Sequence, residues 1–230
     1  MYFQHSAEIW SAHPELVAGA VLAKGITADA SVDPQVARLC AIAEARLASG
    51  SEGEFPEIQA WRRAFSRMGL KPTQYRCAAE SLLRRFRKER ALPRIHPLID
   101  LCNAISLAYA TPVAVFDLAR ISGGLEVRHA SGDETYLTFS GDTEHPDPGE
   151  VIFADAGGRA HARRWSNRQS GHSAVRDTTA EVLVVAEAMH PSAAEDVPQL
   201  MSVLAGELAG VWGDAGDTAI LTRPSPRFAW

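Results

Sequence analysis

A single carboxylate interrupts an otherwise apolar segment near the end of the chain. Glu187 lies within VLVVAEA, a run that has the composition of a buried strand. A lone buried carboxylate is costly unless a positive charge or hydrogen-bond donors compensate it. Compensation from the protein would come from Arg163, Arg164 or Arg168, as a structural ion pair. Compensation from a bound cationic group would instead make Glu187 part of a binding site.

An asparagine is placed in a similar way inside a predicted helix. Asn103 lies in the middle of PLIDLCNAISLAYA. Asparagine has poor helix propensity, and its amide group needs hydrogen-bond partners when it is buried. Two interpretations remain open: Asn103 satisfies a neighbouring backbone group, or its amide binds the carbonyl of a substrate.

Two further segments combine residues that suit nucleic acid. ARRWSNRQ mixes guanidinium, aromatic and amide groups, which could bind phosphate and stack on the bases of a single strand. The alternative is a tryptophan packed in the core beside exposed arginines. RRFRKERALPR is a basic run in a chain of net charge −5, so it is either a solvated helix face or a local contact for an RNA backbone. The candidate RNA-binding residues are Arg84, Arg85, Arg87, Lys88, Arg164, Trp165, Arg168 and Gln169.

Most familiar catalytic and cofactor motifs are missing from the sequence. It contains no GxxxxGK[ST] loop, no GxSxG elbow and no HExxH pair, and its histidines lack metal-ligand spacing. The three cysteines occur singly, which argues against a disulfide framework. We therefore predict neither a metal nor a cofactor.

The bulk composition is that of an ordinary globular protein. Hydrophobic residues make up 46% of the chain and charged residues 22%. The longest apolar stretches are far shorter than the ~20 residues that a transmembrane helix needs. The first residues, MYFQHSAEIW, have neither the basic nor the apolar region of a secretory signal. These features predict a cytoplasmic protein without a membrane partner.

The order of predicted elements indicates the fold class. A strand over residues 16–24 precedes four helices, and short strands then fill residues 113–189 before a last helix begins at Pro191. Helices followed by strands predict an α+β fold, in one domain over residues 1–230. The sheet would be mixed or antiparallel. Three of the predicted boundaries are tested below: a helix capped by Thr73, a strand over Val113–Ile121 and a strand over Glu134–Ser140.

An ordered set of residues in the first half of the chain follows a recognisable pattern. Its members are Pro97, Asp100, Asn103, Pro112, Phe116, Asp117, Gly123, Gly124, Val127, Arg128, Ala130, Gly132 and Glu134. This set resembles the B-three/B-four editing domain of the phenylalanyl-tRNA synthetase beta subunit. The second half of the chain, with PGEVIFADAGGRAHARRWSNRQ and TTAEVLVVAEAMHP, is still more similar to free-standing proteins of that superfamily. The resemblance covers residues 55–192, which leaves 1–54 and 193–230 as packed extensions.

The resemblance implies a function as well as a fold. In the synthetase, a pocket between strands and the equivalent of the Asn103 helix receives a wrongly attached tyrosine, still esterified to the tRNA 3′ end, and hydrolyses the ester. This chain would then be a trans-acting editing hydrolase that deacylates mischarged aminoacyl-tRNA with a positioned water. Its partner would be the aminoacylated 3′ end of tRNA, and not DNA. The alternatives are a non-catalytic module that binds tRNA or an amino acid, and an unrelated small-molecule hydrolase.

The same resemblance assigns roles to individual residues. Glu187 and Asn103 are the catalytic candidates, which would hold the α-ammonium group of the substrate. Backbone amides of residues 171–173 or 123–124 would stabilise the oxyanion. The family pattern has a histidine where this chain has Ala114, and a glutamate at the position of Val185, two residues before Glu187 on the same strand face. The predicted pocket walls are Ala114, Val115, Phe116 and Val185.

Overall fold

A computed structural model describes residues 1–213 and 215–230. Two short 3-10 helices cover Glu52–Glu54 and Leu118–Arg120. The α-helices in the described residues are α1 (Ala7–Ala12), α2 (Asp33–Ser49), α3 (Pro56–Arg67), α4 (Ala78–Glu89), α5 (Pro97–Tyr109) and α6 (Ala193–Trp212).

The strands form two main sheets and one small hairpin. They are β1 (Tyr2–His5), β2 (Val17–Lys24), β3 (Val113–Asp117), β4 (Leu125–His129), β5 (Tyr136–Leu137), β6 (Thr143–Glu144), β7 (Val151–Asp155), β8 (Ala160–Arg163), β9 (Arg168–Gln169), β10 (Glu181–Ala188), β11 (Ala215–Leu221) and β12 (Arg227–Ala229). One sheet has the order β12-β1-β4-β7-β8-β9, and the other has the order β11-β2-β10-β3. Strands β1 and β4 pair in parallel and the other paired strands are antiparallel. The predicted α+β class, with a mixed sheet and a C-terminal helix, is confirmed.

The three boundaries set out above are wrong, for local reasons. The helix predicted from Thr73 begins at Ala78, because Cys77 is extended and its sulfur accepts the backbone N–H of Glu80. Strand β3 ends at Asp117, whose side chain caps the 3-10 turn that follows. Only two residues of the predicted strand over 134–140 form β5.

The four-stranded sheet separates two apolar clusters. Because side chains alternate along a strand, each strand of this sheet contributes to both clusters. One face packs against helices α2, α5 and α6. The other face packs against the six-stranded sheet together with α1, α3 and α4. The candidate site lies on this second face.

Helix α6 approaches β2 very closely at one glycine. A Cβ atom added to Gly19 would lie 2.2 Å from Cγ and 2.5 Å from Sδ of Met201, far inside van der Waals contact. Glycine is therefore needed at this position for the helix to pack on the sheet.

Candidate functional site

Glu187 is buried on β10 and is held by two donors from distant parts of the chain. Its Oε1 lies 2.6 Å from Nε2 of His5 on β1 and accepts the indole N–H of Trp165 at 2.9 Å. Arg163 pairs with Glu144 and Glu150 and Arg168 pairs with Glu144, and no ion pair joins Glu187 to Arg163, Arg164 or Arg168 within the described residues. Of the two interpretations of Glu187, the ion pair with an arginine is therefore not found, and His5 is its partner within the protein.

The contact between His5 and Glu187 uses only one ring nitrogen and one carboxylate oxygen. Nδ1 of His5 is buried and has no hydrogen-bond partner within residues 1–213 and 215–230. The second oxygen of Glu187, Oε2, accepts no hydrogen bond from the described part of the protein.

Glu187 borders a small cavity of about 60 Å³ between the two sheets. Its walls are apolar side chains of β3, β7, β8 and β10, and its rim is the turn that leads from β8 into β9. The first residue of α4 closes one side. The lining residues are Ala78, Pro112, Val113, Ala114, Phe153, Ala162, Trp165, Ser166, Asn167, Arg168, Gln169, Val185 and Glu187.

Trp165 occupies its position because the backbone adopts an uncommon conformation. Arg164 and Trp165 have φ angles of 47° and 59°, in the left-handed region that side chains other than glycine rarely adopt. Glu150 fixes this turn by accepting the N–H of Arg164 at 2.9 Å as well as hydrogen bonds from Nε and Nη2 of Arg163. Burial alone would raise the pKa of Glu150, yet Arg163 holds it below its ordinary value. Consecutive strained residues of this kind concentrate at functional sites.

Two aromatic rings support Trp165 from behind. Trp61 meets it edge to face at a centroid distance of 5.2 Å, and His13 does so at 4.9 Å. Trp165 itself is fully buried. The prediction that its ring offers an exposed stacking surface to RNA is therefore wrong: Trp165 positions Glu187 and forms a wall of the cavity.

Two of the four predicted pocket residues line the cavity. Ala114 and Val185 face each other across β3 and β10 and both contribute to the wall. Val115 points to the opposite face, into the cluster with the helices. Phe116 lies on the cavity side of the sheet but packs deeper, against Phe153. Val115 and Phe116 are thus corrected to core residues.

Asn103 makes no hydrogen bond to Glu187 within the described residues. It is half-buried on α5, a helix that packs mainly on the other face of the four-stranded sheet, and it does not line the cavity. The expectation that Asn103 lies beside Glu187 is not met. None of residues 171–173 and 123–124, proposed as oxyanion donors, lines the cavity. The amides of Gly171, His172 and Gly124 already donate to the Leu137 carbonyl, the Ser170 hydroxyl and the Ser122 carbonyl.

The basic run lies on α4, whose first residue borders the cavity. Arg84 and Arg87 pair with the buried Glu52 at 3.3 and 2.8 Å, and Arg85 pairs with Glu89 at 2.8 Å. Lys88 is exposed and makes no ion pair with the described residues. All four side chains remain accessible to a partner, so their contact with RNA stays a prediction.

Two of the remaining candidate RNA contacts lie at the mouth of the cavity. Arg168 is exposed at the rim, 3.2 Å from Glu144 and above the ring of Tyr136. Gln169 lines the cavity and its amide donates to the carbonyl of Val115. Arg164 does not line the cavity, and its guanidinium group lies over Tyr75 at 4.9 Å. Arg168 and Gln169 thus add polar groups to the rim of an apolar interior.

Several site residues could not have been found from the sequence. His5 lies 182 positions from Glu187, within MYFQHSAEIW, where no motif marks a site. The alternating burial of YFQH is a property of the fold and is not visible in the residue types. Ser166, whose buried hydroxyl has no partner in the part of the chain described, and Asn167 lie within ARRWSNRQ, where no spacing distinguishes them from surface polar residues.

The described ranges hold no group of three or more His, Cys, Asp or Glu side chains placed to bind a metal ion. Within residues 1–213 and 215–230, no helix is both long and apolar enough to cross a bilayer.

A protein-family model matches the part of the chain that contains most of this site. The model for the B3/4 domain matches residues 60–199, more than half of the 230-residue chain. The chain belongs to the B3/4 domain family. The matched range contains every residue that lines the cavity of this B3/4 domain, whereas His5 lies outside it.

Parts of phenylalanine–tRNA ligase beta subunits are similar to this B3/4 domain. The subunit from Thiobacillus denitrificans is 42% identical over 67 residues, covering 28% of this chain and 9% of that protein. The subunit from Shewanella oneidensis is 32% identical over 91 residues, covering 39% and 11%. The matched segments therefore span about a tenth of these subunits. The crystal structure of an N-terminal fragment of the Pyrococcus horikoshii phenylalanyl-tRNA synthetase beta subunit gives a TM-score of 0.49 at 11% identity, covering 95% of this chain and 49% of that one.

Proposed function

We propose that this B3/4 domain deacylates mischarged aminoacyl-tRNA in trans. The observation that carries the proposal is the state of Glu187. His5 and Trp165 fix Oε1, while Glu187 lines the cavity and its Oε2 has no hydrogen-bond partner among the described residues. A carboxylate with one free oxygen in a mostly apolar cavity fits a small cation, and the α-ammonium group of an esterified amino acid is such a cation.

The tRNA part of the proposal is supported by the relatives and by the charges around the cavity. The similar proteins are tRNA ligase subunits by name. A helix rises about 1.5 Å per residue, so the basic residues 84–88 lie roughly 9–15 Å along α4 from Ala78 at the cavity wall. Arg168 at the rim adds forked donors for phosphate. A 3′ end entering the cavity would therefore pass cationic groups.

The chemistry requires little side-chain machinery. An ammonium group bound to Oε2 would place the ester carbon two bonds further, within about 5 Å of that oxygen. A water adds to this carbon, the bond to the ribose oxygen breaks, and the proton of the water passes to that oxygen. The products are the amino acid and tRNA with an unesterified 3′ end. Holding the ester next to the water is the main catalytic contribution expected of such a site.

The test is a deacylation assay on a panel of mischarged tRNAs, followed by acid-gel separation of charged and uncharged tRNA. We expect at least one aminoacyl-tRNA to be hydrolysed well above the spontaneous rate, and N-acetylation of its aminoacyl group to abolish the acceleration. Binding of tRNA without hydrolysis of any member would overturn the proposal in favour of a non-catalytic module. Hydrolysis of simple esters with no preference for tRNA would indicate a small-molecule hydrolase.

A further inference from the structure

The dimensions of the cavity restrict the amino acid that it accepts. We infer that it takes a small aminoacyl side chain of one to three heavy atoms, such as that of alanine, serine or threonine, and excludes aromatic ones. The inference rests on the proposed function, because it specifies the substrate of the same site. It concerns the space beside Glu187.

The volume is the first argument. An apolar cavity of about 150 Å³ is known to hold benzene. The cavity beside Glu187 has about 60 Å³, less than half of that volume. A phenyl or phenol ring therefore does not fit, whereas a methyl, hydroxymethyl or hydroxyethyl group does.

The origin of the space is the second argument. Three of the residues that line it are alanines, Ala78, Ala114 and Ala162, so the room comes from short side chains within a packed region. The long side chains at its border, Phe153 and Trp165, are 1% and 0% exposed. Moving either would disrupt close packing of the core.

The packing behind these aromatic walls makes them rigid. Phe153 stacks on Phe3 at 6.1 Å and contacts Phe116 at 5.3 Å. Trp165 is confined between Trp61 and His13.

The position of Glu187 directs the substrate into this space. Val185 precedes Glu187 by two residues on the same strand face, about 7 Å along the strand, and it pairs with Ala114. A substrate whose ammonium group binds Oε2 therefore presents its side chain to the wall formed by Val185 and Ala114. Additional methylene groups would collide with that wall.

The experiment compares one tRNA charged in turn with alanine, serine, threonine, phenylalanine and tyrosine. We expect kcat/KM for the three small residues to exceed that for the two aromatic ones by at least 100-fold, since each methylene in a tight apolar pocket discriminates by about 10- to 200-fold. Preferred cleavage of the phenylalanyl or tyrosyl ester would overturn the inference and leave the proposed function intact. Cleavage of none would instead reject the proposed function.

A matched pair of variants tests the same point by gain of activity. Val185→Ala should enlarge the cavity and raise the activity on a larger aminoacyl group relative to alanine by at least tenfold. Val184→Ala is the control, because Val184 is equally buried on the same strand but packs in the cluster with the helices. Equal selectivity of the two variants would contradict the inference. If both unfold, Ala114→Val, which fills the cavity, must reduce cleavage of the threonyl ester more than that of the alanyl ester.

Discussion

The two faces of the four-stranded sheet have similar compositions, but one is closely packed and the other borders a cavity. On β10, Val182, Val184 and Ala186 pack against the helices, and that face is continuous apolar core. Leu183, Val185 and Glu187 point towards the six-stranded sheet, where a cavity remains. The alternation of side chains along a strand lets one face stabilise the fold while the other borders the proposed site. The proposed function would depend on Glu187 and on the short side chains that leave the cavity open.

Removing the charge of Glu187 should have the largest effect. Glu187→Gln keeps the acceptor for His5 and Trp165 but cannot bind an ammonium group as an ion pair. We expect a loss of about 2–4 kcal/mol in transition-state stabilisation, or some 30- to 1,000-fold in kcat/KM, with little change in the melting temperature.

Two controls separate binding from stability in that measurement. Glu181→Gln changes the same residue type on the same strand at an exposed position, and it should leave kcat/KM unchanged. N-acetylating the substrate should cost the wild-type protein as much as Glu187→Gln does, and both changes together should cost little more than either alone. A variant that melts earlier yet cleaves at the normal rate would make Glu187 a structural residue.

The support behind Trp165 should make the stability of the protein depend on pH. Burial, together with the charge of Arg67, lowers the pKa of His13 to about 4, from an ordinary value near 6.5. Between pH 6.5 and pH 4 the imidazole of His13 is therefore protonated in the unfolded chain but neutral in the folded protein. This contribution to stability is fully present above pH 6.5 and is lost as the pH falls towards 4, by up to about 3 kcal/mol.

Denaturant titrations between pH 7 and pH 4 measure this effect. His13→Gln should flatten the profile in that range, whereas His129→Gln, at an exposed position, should not. Any further loss of stability below pH 4 comes from other groups. One of them is Glu134: burial would raise its pKa, but hydrogen bonds from Ser131 and Arg128 lower it to about 2. If His13→Gln leaves the profile unchanged, the buried imidazole of His13 is not the cause of the pH dependence of stability.

The helix-facing side of the sheet should respond in stability alone. Gly19→Ala places a methyl group against Met201 and should cost about 1–3 kcal/mol of unfolding free energy without altering the ranking of substrates. Gly206→Ala, on an exposed turn of α6 with no heavy atom near its added Cβ, should instead stabilise by up to about 1 kcal/mol. A change in substrate preference in Gly19→Ala would break the proposed division between the two faces.

Local features of the fold were predictable from the sequence. The strand containing Glu187 and the helix from Pro97 follow from apolar runs with clear start and stop residues. The alternation rule also placed Val185 and Glu187 on one face, and both line the cavity. These signals reach only a few residues along the chain.

Features that depend on distant partners were not predictable. The donors to Glu187 come from His5 and Trp165, 182 and 22 positions away. Trp165 is buried because two residues adopt left-handed backbone angles, which no propensity of arginine or tryptophan foresees. The face of α5 that meets the sheet is likewise determined by packing. The polar character of Asn103 within this helix therefore did not show whether it lies in the site.

The smallest effect is expected from substitutions of the basic residues of α4, which should weaken the binding of tRNA. Arg87→Gln with Lys88→Gln should weaken binding of all tRNAs alike and flatten the dependence of log K on log salt by about two units, because each lost phosphate contact removes nearly one. The order of preference among aminoacyl groups should not change.

Lys24→Gln with Arg38→Gln removes the same charge from β2 and α2 and serves as the control in filter-binding titrations at several salt concentrations. Equal slopes for the two double variants would identify the α4 residues as a solvated face, with Glu52 and Glu89 as their sufficient partners.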